Sequence, residues 1–294
     1  MKSKNSRKNN KYVNYDYESV FNNNTNMLNE WMIDTMLKTK HSSVVYATKE
    51  YKLREQLEIE IYPEFTRKEL EAKGIKKANK KAQRNLNDKN SRKYVTRLIN
   101  KNFTNGDYWL TVTYNKNNLP STIEQAQKDA GNYMRRINYH LKKKGLPNAK
   151  YVYITEYHDK GEQSVRVHHH IIISCGLTMD EVESLWKKGD RNKIRRISRD
   201  EYGIVGLGKY ISKAKKKGKN EKRWKSSTNL EKVTFRKNHY KFKKKKVDAM
   251  IRDNNLIQHY MEITYKDYRF LDAQAYFNEF NARWYIAARM RRRE

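Results

Sequence analysis

Cysteine is almost missing. Cys175 stands alone among 294 residues, which excludes a disulfide framework or a cysteine zinc cluster within one chain and fits a reducing cytoplasm. Long apolar runs are missing too. No stretch approaches the roughly 20 apolar residues of a membrane-spanning helix, and residues 1–24 carry no charged-then-apolar leader, so neither a membrane nor export is expected. Negative charge is scarce: 33 Asp and Glu face 65 Lys and Arg, for a net charge of +32. Such an excess repels itself unless a polyanion is the working partner, and nucleic acid is the simplest one. With only 37% hydrophobic residues, the core must occupy part of the chain and leave the rest solvated.

The pattern along the chain predicts where that core lies. Residues 1–24, rich in Asn, Lys and Ser, read as a disordered basic tail. Residues 25–106 read as a basic helical extension, with Val95, Leu98 and Ile99 docking on the domain that follows. That domain is expected over 107–217. Tyr108-Trp-Leu-Thr-Val-Thr-Tyr114 has the composition of a strand. Ser121-Thr-Ile-Glu124 has capping-box spacing, and Ala126, Ala130, Tyr133, Ile137 and Leu141 follow at helical intervals. Tyr151–Tyr157 and Val165–Ser174 read as a hairpin, and Thr178-Met-Asp-Glu181 as a second capping box. This order predicts an α+β domain with a ferredoxin-like antiparallel sheet covered by helices. Between Lys209 and Lys246 there are 15 Lys and 2 Arg against Glu221 and Glu231. Residues 218–246 are accordingly expected as a basic linker and 247–294 as a small helical segment.

Chemistry concentrates in Arg166-Val-His-His-His170. On a strand, His168 and His170 share one face and His169 takes the other. Two imidazoles at i and i+2 can reach one divalent metal ion. A hairpin turning near Glu162 would set Glu156 across from His168 as the third ligand, although a slip of one residue would turn it away. Such a donor set with an open position suits an ion that grips a phosphate oxygen.

These residues resemble the HUH replication initiators of rolling-circle phages and plasmids, in which a His-hydrophobic-His strand is paired with a downstream tyrosine. Arg166, His168 and His170 match the Arg-x-His-x-His strand of small-phage initiators, Glu156-Tyr157 matches the Glu-Tyr pair one strand earlier, and Trp109–Tyr114 matches the first strand motif. His169 departs from the family's bulky hydrophobic residue. The tyrosine motif is matched by Lys209-Tyr-Ile-Ser-Lys213. Gly203, Gly206 and Gly208 precede it and can let backbone approach a phosphate.

The resemblance implies Tyr210 as nucleophile, with Lys209 and Lys213 favouring the phenolate and contacting phosphate. Lys215, Lys216, Lys217 and Arg166 are expected as DNA contacts. Gly206, four residues before Tyr210, makes this a single-tyrosine device. The implied reaction is nicking and rejoining of single-stranded origin DNA with Mn²⁺ or Mg²⁺, without a small-molecule cofactor and with a host helicase as partner. A relaxase or single-strand transposase would use the same chemistry, and a noncatalytic nucleic-acid-binding protein would share the charge but form no covalent product.

Overall fold

The computed structural model describes residues 12–13, 45–66, 80–156, 166–212, 224–278 and 283–294. In chain order these form β1 (Tyr12–Val13), β2 (Val45–Leu53), β3 (Gln56–Thr66), α1 (Lys80–Asn102), β4 (Tyr108–Thr113), α2 (Ile123–Lys143), β5 (Lys150–Glu156), β6 (His168–Ser174), α3 (Met179–Ser184), β7 (Lys193–Arg196), α4 (Val205–Ser212), β8 (Lys225–Ser226), β9 (Arg236–Asn238), α5 (Lys244–Arg252), α6 (Asn255–Thr264), β10 (Tyr268–Asn278) and β11 (Arg283–Arg292). This is an α+β chain with antiparallel sheets, in two compact units: Arg92–Val233, and Met1–Ser91 with Thr234–Glu294. Among the described residues no helix is long and apolar enough to cross a membrane.

The unit Arg92–Val233 has the strand order β7-β4-β6-β5-β8. Both β4 and β5 pair antiparallel with β6. They are therefore parallel to each other with β6 between them, which is the split βαβ arrangement expected from the sequence. Alternation along the strands builds two apolar faces. Tyr108, Leu110, Val112, Ile171 and Ile173 meet Ala126, Ala130, Tyr133, Ile137 and Leu141 of α2 on one face. The start of α2 lies one residue later than the capping-box spacing suggests, because Thr122 is the cap and its hydroxyl accepts the Gln125 N–H at 3.2 Å. The second box, Thr178 with Glu181, is complete in both directions.

The opposite face, Trp109, Val152, Ile154 and Ile172, lies under Val95, Leu98, Ile99 and Phe103 of the α1 segment and Ile204 and Ile211 of the α4 segment. Each such fully buried large side chain contributes about 1.5–3 kcal/mol relative to exposure. The C-terminal end of α1 is held by Arg199, whose guanidinium donates to the carbonyls of Asn100 and Phe103 at 3.2 and 2.6 Å and to the Asn100 Oδ1 at 3.2 Å. The same Asn100 Oδ1 accepts the Ile204 N–H at 3.1 Å, tying α1 to the entry of α4.

The other unit corrects the expected extensions. Residues 45–66 are two paired strands rather than helix, and 268–292 are a long hairpin rather than a helical segment. The reason is a period of two: buried Leu57, Ile59 and Ile61 alternate with Glu58 and Glu60, and buried Ile286, Ala288 and Met290 pair with them across β11. Only α5 and α6 are helical among the described residues of 247–294, and their Val247, Met250, Ile257 and Met261 cover that sheet. Nor is 224–246 a bare linker, since it supplies β8 to one sheet and β9 to the other. Of the expected tail, Tyr12–Val13 pairs with Phe65 and Thr66; the rest of 1–24 lies outside the described residues.

Candidate metal centre

The β5–β6 register places Glu156 opposite His168, Thr155 opposite His169 and Ile154 opposite His170. Glu156, His168 and His170 therefore converge on one face. His168 Nε2 lies 3.3 Å from Glu156 Oε2, and His170 Nε2 lies 3.9 Å from Oε1. The two Nε2 atoms are 3.0 Å apart. Ligand atoms of all three lie within 4.8 Å of one another, and among the described residues this is the group of His, Cys, Asp and Glu that could hold a metal ion.

Each imidazole is oriented from behind. His168 Nδ1 faces the Arg166 carbonyl at 2.8 Å; a carbonyl only accepts, so Nδ1 must carry the proton and a neutral ring turns its Nε2 lone pair inward. His170 Nδ1 meets Thr111 Oγ1 at 3.0 Å, and Trp109 stacks on the ring at 5.2 Å and 5°. Two lone pairs and a carboxylate aimed at one point repel unless a cation lies among them. A proton serves in part: burial opposes charge on His168, but the Glu156 carboxylate and the Arg166 carbonyl outweigh it and raise its pKa. Burial and the nearby His168 push His170 the other way, so the pair does not hold two charges. A divalent ion satisfies all three groups together, and the nitrogen–oxygen donor set with its outer hydrogen bonds fits one.

His169 takes the opposite face, as alternation requires, and is fully buried. Its Nδ1 meets Thr155 Oγ1 at 3.0 Å and its Nε2 the Tyr114 hydroxyl at 2.8 Å. Burial pushes its pKa down to about 3, so it stays neutral. Where the resembled family has a hydrophobic side chain, this protein has a hydrogen-bonded core histidine.

A cleft of about 690 Å³ opens at His170 and Trp109 and extends to Gly206 and Leu207 of α4. Tyr210 lies on α4, four residues beyond Gly206 and three beyond Leu207, one turn along the same helix. Lys209 and Arg166 are exposed, and Lys213, Lys215, Lys216, Lys217 and Tyr157 lie outside the described residues. The three glycines have separate roles. Gly203 adopts φ +77° in the turn before α4. A Cβ on Gly208 would sit 2.9 Å from Thr96 Cα, so this glycine lets α4 press against α1; a Cβ on Gly206 would meet nothing within 4 Å. Of the three, Gly203 and Gly206 border the cleft. Sequence reasoning does not single out Thr111 and Trp109 as site residues. The signal that could find them is the two-residue spacing of 109, 111 and 113, which puts them on one face beside His170 once β4 pairs with β6.

No curated protein and no solved structure matches the chain. Over residues 107–215, which include the three converging ligands, Thr111, Trp109 and α4, the chain matches the family model of the Replication-associated protein ORF2 group, a family of rolling-circle replication initiators.

Proposed function

We propose that the protein initiates replication by nicking single-stranded origin DNA, with Tyr210 as nucleophile. The observation that carries this reading is the in-register Glu156–His168–His170 cluster at the mouth of a cleft whose far wall is the tyrosine helix. A divalent ion such as Mn²⁺ or Mg²⁺, held by these three side chains, would supply Lewis-acid polarisation of a phosphate oxygen. Tyr210 gives up its phenolic proton and attacks the scissile phosphorus; the bond from phosphorus to the 3′ oxygen breaks, and that oxygen leaves as a hydroxyl. The product is a 5′-phosphotyrosyl ester, which a 3′ hydroxyl can later attack to restore the phosphodiester without ATP. Lys209 and Lys213 favour the phenolate and steady the negative phosphorane. Arg166 and Lys215, Lys216 and Lys217 contribute contacts that do not depend on sequence. The expected setting is the cytoplasm of a host cell, with a host helicase opening the duplex after the nick.

The test is incubation of the full chain with labelled single-stranded DNA of the element's origin and Mn²⁺, followed by a denaturing gel. A covalent band lost in Tyr210→Phe, and lost in His168→Ala combined with His170→Ala, is the expected result. Binding without any adduct overturns the proposal.

A further inference from the structure

The edge strand β7 carries a feature that the metal cluster and the tyrosine do not use. Its register sets Lys193 beside Thr111 and Arg195 beside Trp109, and Thr111 in turn lies beside His170. Alternation divides β7 cleanly. Ile194 packs into the α2-side core, and the Arg196 guanidinium lies over the Tyr108 ring on that same side, 5.9 Å from its centroid. Lys193 and Arg195 are exposed and line the cleft that His170, Trp109 and Gly206 share. Among the described residues, the carboxylate on the cleft wall is that of Asp200, which is turned to the Tyr202 N–H at 2.8 Å.

We infer that Lys193 and Arg195 form a two-cation rail that grips successive phosphates of the DNA strand flanking the scissile phosphate. The inference rests on the nicking site proposed above. Two sheet spacings separate β7 from β6, so the Lys193 backbone lies about 10 Å from that of His170, and Arg195 lies about 6.7 Å further along the edge. That step is on the scale of one nucleotide of an extended single strand. A phosphate held at the His170 side of the cleft therefore leaves its neighbours within reach of first Lys193 and then Arg195. Arg195 suits a fork-like grip on phosphate oxygens, and Lys193 acts as a point charge. The apolar side of the cleft, Ile204 and Leu207, offers a surface to an unstacked base.

The experiment is fluorescence anisotropy of a labelled oligothymidylate against the full chain, with chelator present to silence cleavage, across a salt series. For single strands the slope of log affinity against log salt falls by about 0.7 for each phosphate that is no longer neutralised. Lys193→Gln with Arg195→Gln should thus lower the slope by about 1.4. Between 50 and 200 mM salt the wild-type Kd should then rise about sevenfold more than that of the double variant. Arg196→Gln, the same loss of charge on the other face of the same strand, should leave the slope unchanged. An unchanged slope in the double variant, or an equal fall in Arg196→Gln, overturns the rail. Melting curves matching wild type exclude misfolding as the cause. If no covalent adduct forms on the gel but the slope falls only in the double variant, the nicking chemistry fails and the rail stands as a DNA-binding site. If the adduct forms and the slope does not move, the rail alone fails.

Discussion

Two glycines, two residues apart on the tyrosine helix, should respond oppositely to the same substitution. Gly206→Ala places a methyl where nothing lies within 4 Å. Replacing glycine by alanine in a helix reduces backbone entropy loss and is worth about 0.5–1 kcal/mol, so this variant should be as stable as wild type or more so. Gly208→Ala places the same methyl 2.9 Å from Thr96 Cα and 2.9 Å from Thr96 Cγ2. The Cγ2 can rotate away, but the Cα belongs to the backbone of α1, so the helices must part. Overpacking of this kind costs about 1–3 kcal/mol; set against the helical gain, the net effect runs from near neutral to a loss of about 2 kcal/mol. The larger consequence is functional, because Tyr210 rides on the displaced helix, and a misplacement of about 1 Å can slow a reaction by about 100-fold. Urea unfolding and the rate of covalent adduct formation at saturating Mn²⁺ measure the two effects. Thr96→Ala should rescue Gly208→Ala only in part, since it removes Cγ2 and leaves Cα in place. Equal changes of stability in Gly206→Ala and Gly208→Ala, or full adduct rate in Gly208→Ala, would refute the packing role assigned to Gly208.

Arg199→Lys should destabilise the unit Arg92–Val233 by about 2–3 kcal/mol, because an ammonium cannot reproduce the forked donation to Asn100 and Phe103 at the end of α1; thermal unfolding reads it, and a loss under about 0.5 kcal/mol, the usual range of an unremarkable surface change, would contradict the capping role. His169→Leu removes the partner of the Thr155 and Tyr114 hydroxyls. It should cost about 1–3 kcal/mol for the polar groups left behind while Mn²⁺ binding survives, since His169 faces away from the cluster; loss of Mn²⁺ binding with unchanged stability in calorimetry would invert that assignment.

Legibility followed the range of the interactions involved. The faces of His168, His169 and His170 follow from alternation alone, and the caps at Thr178 and before α2 lie within a few residues of what they cap. The Glu156–His168 pairing needed only the length of one hairpin. The α1–α4 crossing at Thr96 and Gly208 joins residues more than 100 positions apart, so local pattern could not separate a packing glycine from one that admits phosphate. Residues 45–66 and 283–292 were obscured differently. Leu57, Ile59, Ile61 and Ile286, Ala288, Met290 carry a clear period of two, but charged, helix-favouring neighbours such as Glu58, Glu60 and Arg289 masked it. The partner of β3 in β11 also lies over 200 residues away, beyond any local reading.

The net charge of +32 is likewise two populations rather than one. Lys237 and His239 are bound to Glu64, whose side chain is almost wholly buried, and Lys241 lies 2.5 Å from the similarly buried Glu50, which also accepts the Tyr265 hydroxyl. These cations offset the desolvation of two carboxylates and hold the segment around β9 to β2 and β3. They are part of the fold, and removing one partner would leave a buried charge uncompensated rather than loosen DNA. Lys193, Arg195 and Lys209 are exposed and stand on elements that border the cleft. Composition counts both groups alike. Only the second, placed by β7 and α4 around the cluster of Glu156, His168 and His170, has the position to act on a phosphate chain, so the direction of the basic surface is set by the sheet register that also builds the metal centre.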